Sequence, residues 1–179
     1  MVDPATTRRW SNRALFIGLS AIIIFLHLLP LQTQPSRWAA PDLLVCLAAA
    51  WVLRRPDYVP ALSIVAVFFV ADVFFMRPLG LMTALIVLAT EFLRSRSHLM
   101  QEFPFALEWA VVATVIASVM IGYRLVLMIA VVEPPAFGLT MLQFVATTLA
   151  YPLVVLVSKF AFGIVRLAPG DLDRQRLKV

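Results

Sequence analysis

The sequence predicts an all-α integral membrane domain of six transmembrane helices with both termini in the cytoplasm. Three observations carry that expectation. Of the 179 residues, 62% are apolar and 14% charged, against roughly 45–50% and about 25% in a soluble domain. The apolar residues fall into successive runs, and six spans of about 20 residues would occupy about 120 positions, leaving short loops and ends. The basic residues punctuate these runs unevenly, as membrane orientation requires.

The expected layout is a cytoplasmic N-terminal segment over residues 1–13, a six-helix transmembrane domain over 14–166, and a cytoplasmic tail over 167–179. No stretch is long enough for a separate soluble catalytic domain. Cys46 is the only cysteine, which excludes a disulfide scaffold. The net charge of +5 raises nucleic acid as a partner, but the basic residues do not cluster beside aromatic or groove-reading elements. Nucleic acid is therefore not expected.

The first run covers residues 14–31, behind Arg8, Arg9 and Arg13. A cleaved signal peptide or twin-arginine signal is the rival reading, but the run is long and more apolar runs follow, so it reads as a retained span. The second, residues 43–53, covers only about 17 Å of a roughly 30 Å hydrocarbon core. Starting its helix at Trp38 lengthens it, and Pro41 suits an early turn where its missing N–H has no partner. A true crossing is preferred, because a re-entrant loop would strand Arg54 and Arg55 outside.

The third run is 58–75, the fourth 79–93, the fifth 105–132 and the sixth 136–165. Arg77-Pro78, residues 94–104 and Glu133-Pro134-Pro135 form the links. With the N-terminus inside, cytoplasmic segments hold Arg8, Arg9, Arg13, Arg54, Arg55, Arg94, Arg96, Arg166, Arg174, Arg176 and Lys178, and the outer loops hold Arg37 and Arg77. That asymmetry fixes the expected orientation. Trp10, Trp38, Trp51 and Trp109 fall near the expected interfaces, as an aromatic belt would.

A charge in mid-bilayer costs from about 3 to 10 kcal/mol or more, so each one inside a run needs a reason. Asp72 and Arg124 fall near the outer rim. Asp72 has Arg77, Arg124 or the start of the fourth helix as partners, while Arg124 alternatively snorkels. Near the inner rim, Lys159 either pairs with Glu91 or Glu108 or snorkels to lipid headgroups. Neither set resembles a proton relay. His27 and His98 fall at opposite faces, so no catalytic, cofactor or metal site is argued from them or from Cys46. Ala110, Ala113, Thr114, Ala117, Ser118 and Gly122 share one stripe of the fifth span, fit for close helix packing within the bundle or against another protein. Tyr151-Pro152 should kink the sixth.

Pro41-Asp42-Leu43-Leu44, then Leu53-Arg54-Arg55-Pro56, then Asp72 ahead of Arg77-Pro78-Leu79-Gly80, and finally Tyr151-Pro152 together resemble the rod shape-determining membrane protein family, MreD. The likeness covers nearly all the chain. One departure is that Phe68, Phe69, Val70 and Ala71 stand where members carry small glycines ahead of the acidic residue.

The resemblance implies a non-enzymatic scaffold subunit of the bacterial elongation machinery, without a cofactor, in the inner membrane. It implies MreC as the direct partner, with MreB, the RodA glycosyltransferase and a class B penicillin-binding transpeptidase in a larger complex. Pro41, Asp42, Asp72, Leu79, Gly80, Arg124, Tyr151 and Pro152 are the candidate structural or partner-interface residues. The family is also similar in architecture to the substrate-binding components of energy-coupling vitamin transporters. A transporter subunit is therefore the alternative, and it would need a ligand cavity opening outward. Gln32, Gln34, Trp38, Asp72, Tyr123 and Arg124 are its scattered candidates.

Overall fold

In the computed structural model, residues 4–29 and 40–162 are described, and every regular element among them is helical. The order is α1 (Pro4–Leu28), α2 (Leu43–Arg54), a 3₁₀ turn (Pro56–Tyr58), α3 (Ala61–Phe74), α4 (Leu81–Glu102), α5 (Phe105–Ile129) and α6 (Phe137–Phe162). Among the described residues, three helical stretches are long and apolar enough to cross a membrane, Arg9–Leu28, Phe105–Ile129 and Phe137–Phe160.

α2 and α3 are apolar but have only 12 and 14 residues, or about 18 and 21 Å at 1.5 Å per residue. The brevity of α2 is explained by its position. A helix that is apolar on every side is stable only when surrounded, and Leu44 to Arg54 are all buried. α2 packs along α4 and α6 with α1 on a third side, α3 joins α1 to α4, and α5 joins α4 to α6. The succession α1–α3–α4–α5–α6 thus wraps a central helix. Ala48, Ala49 and Ala50 keep that helix slim enough for close approach. Phe16 and Trp51 meet across α1 and α2 with ring centroids 5.7 Å apart. The outer surface is itself apolar, with Leu62, Leu88, Leu125, Leu153 and Phe160 exposed, as a lipid-facing surface demands.

The Asp42 N–H donates to Thr147 Oγ1 at 3.0 Å, and the Trp51 Nε1–H donates to Ser158 Oγ at 3.1 Å. These contacts advance together along both helices, so α2 and α6 run parallel. Thr147 is about 15 Å along α6 from Phe137, which leaves the start of α2 recessed below the rim of its neighbour. The two ends of the bundle are called here the Asp42 end and the Arg54 end.

Several boundaries differ from the hydropathy reading for one reason: hydropathy marks the limit of apolar surface, whereas backbone hydrogen bonding marks the limit of the helix. α1 begins at Pro4 rather than at residue 14. α4 continues through Arg94, Arg96 and His98 to Glu102, so the expected link over 94–104 shrinks to Phe103-Pro104, with Pro104 as the N-cap of α5. α2 begins at Leu43, not Trp38. Pro41 stands outside the helix, and Asp42 caps it by accepting from the Val45 N–H at 3.3 Å. Residues 30–39, with Gln32, Gln34, Arg37 and Trp38, lie outside the described residues, as does the expected tail 167–179.

α3 and α5 each end in a Schellman turn. The Arg77 N–H reaches the Asp72 carbonyl and the Val132 N–H reaches the Leu127 carbonyl. Glycine usually fills the left-handed position of this turn, but Met76 (φ 51°) and Val131 (φ 56°) fill it here. Both are almost fully exposed, at 96% and 91%, so no packing contact explains them.

Candidate functional site

Asp72, near the end of α3, is 1% exposed. Its Oδ2 accepts from the Gly80 N–H at 3.1 Å, the Thr83 N–H at 3.1 Å and the Thr83 hydroxyl at 2.8 Å. Those amides belong to the first turn of α4, where N–H groups have no partner within the helix and the dipole is positive. The N-cap residue, Gly80, has no side chain to satisfy them. Its φ of +79° is the left-handed conformation that glycine adopts without a Cβ penalty. Asp72 therefore caps α4 from the neighbouring helix and locks the α3–α4 turn. Of the sequence alternatives, the start of the fourth helix is the partner, rather than the guanidinium of Arg77 or Arg124. Asp72 Oδ1 is buried without a hydrogen-bond partner among the described residues.

Beside this lock, Asp42, Arg77, Tyr123, Arg124, Thr140 and Gln143 line a cavity of about 220 Å³ above the recessed start of α2. A second cavity of about 200 Å³, toward α1 and His27, shares Asp42, Arg77 and Gln143. Arg77 Nη1 is 3.9 Å from Asp42 Oδ2. Arg124 donates through Nη1 to the Pro135 carbonyl at 2.6 Å and to Thr140 Oγ1 at 3.0 Å, and its guanidinium lies over the Phe137 ring. This guanidinium joins α5 to the start of α6 instead of reaching Asp72.

At the Arg54 end one polar cluster is sealed. Arg54 Nη1 is 2.8 Å from Glu108 Oε1, with side chains 6% and 2% exposed. The Tyr151 hydroxyl donates to the same Glu108 oxygen at 2.5 Å. One carboxylate thus ties α2, α5 and α6 together. Arg54, expected in the cytoplasmic segment just beyond the second run, is instead the last residue of α2 and is buried. Neither glutamate partners Lys159: Glu91 takes Arg94 at 3.0 Å, and the exposed Lys159 ammonium stands 5.7 Å from the Phe160 ring centroid. Among the described residues Lys159 thus has no carboxylate partner.

Pro152 lies inside α6 and supplies no N–H to the carbonyl of Thr148. The Trp109 indole N–H fills that vacancy at 2.9 Å. Trp51 is fully buried, so it is a core anchor rather than a belt residue. Arg94 closes the same end by donating to the Pro56 and Val59 carbonyls at 3.0 and 2.6 Å.

Of the residues singled out in the sequence, Pro41, Asp42, Asp72, Leu79, Gly80 and Arg124 gather at the Asp42 end, and Tyr151 and Pro152 lie toward the other. Leu79 is exposed and touches neither cavity. Thr83, Thr147 and the Arg54–Glu108 pair were missed as members. The signal for the last was available, since Glu108 is an acid inside an apolar run. The small-residue stripe of α5 is not sealed in the bundle. Thr114 and Ser118 are exposed, and with Leu85, Leu88, Ala89 and Phe92 of α4 they line an open groove of about 330 Å³.

No protein-family model, curated protein or solved structure matches the chain.

Proposed function

We propose that the chain is a six-span, non-enzymatic scaffold of the bacterial inner membrane with both termini cytoplasmic. In this reading it binds MreC directly and, through a larger assembly with RodA, a class B penicillin-binding transpeptidase and MreB, couples wall synthesis to the cytoskeleton. The ordered motifs from Pro41-Asp42 to Tyr151-Pro152 bring this reading to the chain. The observation that carries it in three dimensions is the α4–α5 groove. Its lining sets the small Ala89, Thr114 and Ser118 among the apolar Leu85, Leu88, Phe92, Val115 and Val119, and Leu88, Phe92, Thr114 and Ser118 are exposed.

Helix association in lipid gains from close packing against small residues and from interhelical polar contacts. Thr114 and Ser118 spend their hydroxyls on carbonyls of their own helix, Ala110 and Thr114, at 2.9 Å each. They can therefore face a transmembrane segment without an unsatisfied donor. α2 and α3 are short for a crossing, but α2 meets protein rather than lipid, which supports six passages through a locally protein-filled membrane.

The test is co-purification of MreC with the tagged chain in mild detergent. Filling the groove with Ala89→Phe and Ser118→Phe should lower MreC recovery about tenfold, the equivalent of 1.4 kcal/mol, at unchanged levels of the chain. Full recovery would remove the groove from the account. Failure of the unaltered chain to recover MreC would remove the scaffold reading itself.

A further inference from the structure

We propose that the cavity at the Asp42 end binds a phosphodiester monoanion, the charged group of a phospholipid. The inference rests on charge, donor supply and depth, and it stands independently of the scaffold reading.

Two guanidinium groups wall the cavity with donor capacity to spare. The Arg77 side chain is only 25% exposed, yet its guanidinium makes no hydrogen bond among the described residues, and its nearest carboxylate is 3.9 Å away. Arg124 uses Nη1 alone, on Pro135 and Thr140. Its Nε and Nη2 have no partner among the described residues. Guanidinium forks match phosphate oxygens in spacing and planarity, which favours this anion class over a spherical halide. Tyr123 and Gln143 add neutral donors to the wall.

Charge selects the kind of phosphate. Asp42 offsets one of the two arginines. Asp72, behind the wall, offsets the other, and the positive N-termini of α2 and α4, which these two acids cap, add about half a charge each. One positive charge is left over, which suits a phosphodiester and not a dianionic monoester. Depth and lining select an amphiphile. The cavity extends from Pro135 to Gln143, which is about 9 Å along α6 from Phe137, and Met82 and Met120 supply an apolar wall. Such an interval crosses from headgroups into hydrocarbon, since the polar zone on each side of a bilayer is only about 5–7 Å thick. At about 220 Å³ the space is smaller than the roughly 300–1,000 Å³ of drug-sized ligand sites. It accommodates a phosphate with its glyceryl substituent better than a vitamin.

The experiment is native mass spectrometry of the full chain in dodecyl maltoside, titrated with dioleoylphosphatidylglycerol, with dioleoylglycerol, and with soluble glycerophosphoglycerol. Phosphatidylglycerol should bind and dioleoylglycerol should not. Arg77→Gln removes a guanidinium that holds no hydrogen bond among the described residues, and it should weaken binding at least tenfold. Met120→Phe narrows the cavity without altering charge and should do the same, which guards against a variant that acts only by misfolding. Glycerophosphoglycerol binding as tightly as the lipid would assign the site to a soluble phosphodiester; binding that needs the acyl chains assigns it to the membrane. Equal binding of phosphatidylglycerol and dioleoylglycerol, or lipid binding indifferent to both variants, overturns the proposal.

Discussion

The two ends of the bundle handle buried charge in opposite ways. At the Arg54 end a carboxylate, a guanidinium and a phenol close on one another, Trp109 covers the carbonyl that Pro152 leaves open, and Arg94 clamps the 3₁₀ turn. At the Asp42 end the central helix stops short, Arg77 and Asp42 stand 3.9 Å apart, and two cavities remain. The acids show the contrast most directly. Glu108 bridges three helices, whereas Asp72 holds a single turn together. The bundle is thus locked at one end and open at the other, with the same side-chain types present at both.

The largest test of that contrast is at Glu108. Glu108→Ala leaves Arg54 buried without its carboxylate, so thermal unfolding in detergent should register a loss of about 3–5 kcal/mol. Replacing both Arg54 and Glu108 with Met should recover most of it, because the penalty comes from the uncompensated charge rather than from absence of the pair. A double variant as unstable as the single one would mean that the pair is not the lock.

Asp72→Asn should cost less, about 1 kcal/mol by the same measurement. The amide oxygen still accepts from the α4 amides, only the charge at the helix N-terminus is lost, and polar contacts in membranes average about 0.6 kcal/mol. A loss as large as that of Glu108→Ala would erase the distinction between a three-helix tie and a local cap. The smallest effect should carry the opposite sign. Val131→Gly relieves a β-branched residue held at φ 56°, where left-handed backbone costs an ordinary residue about 1–2 kcal/mol. Glycine gives part of this back in chain entropy, so a net gain of about 0.5 kcal/mol is expected. Destabilisation would show that the Val131 side chain contributes contacts that the turn needs.

The helical class and the approximate positions of the elements were legible because apolar runs, prolines and charges are local signals. Asp72 was legible as a residue needing a partner, and the start of the fourth helix was among those named. The Arg54–Glu108–Tyr151 cluster was not, because its members come from three helices and the sequence does not say which face of each turns inward. Arg54 read as a loop charge beside Arg55; the end of a fully encased helix places it inside. The short run over residues 43–53 held the clue. A short run that is apolar on every side is stable when protein surrounds it, and the polar groups at its two ends then lie against the bundle interior.

Orientation decides what each end meets, so the most direct test is impermeant-thiol labelling of intact cells on a Cys46→Ser background. Single cysteines replacing Glu133 and Met76, both exposed at the Asp42 end, should react from outside, whereas cysteines replacing Asp57 and Ser95, exposed at the Arg54 end, should react only after permeabilisation. Labelling of Asp57→Cys or Ser95→Cys in intact cells, with Glu133→Cys and Met76→Cys protected, would turn the open end inward and contradict the account.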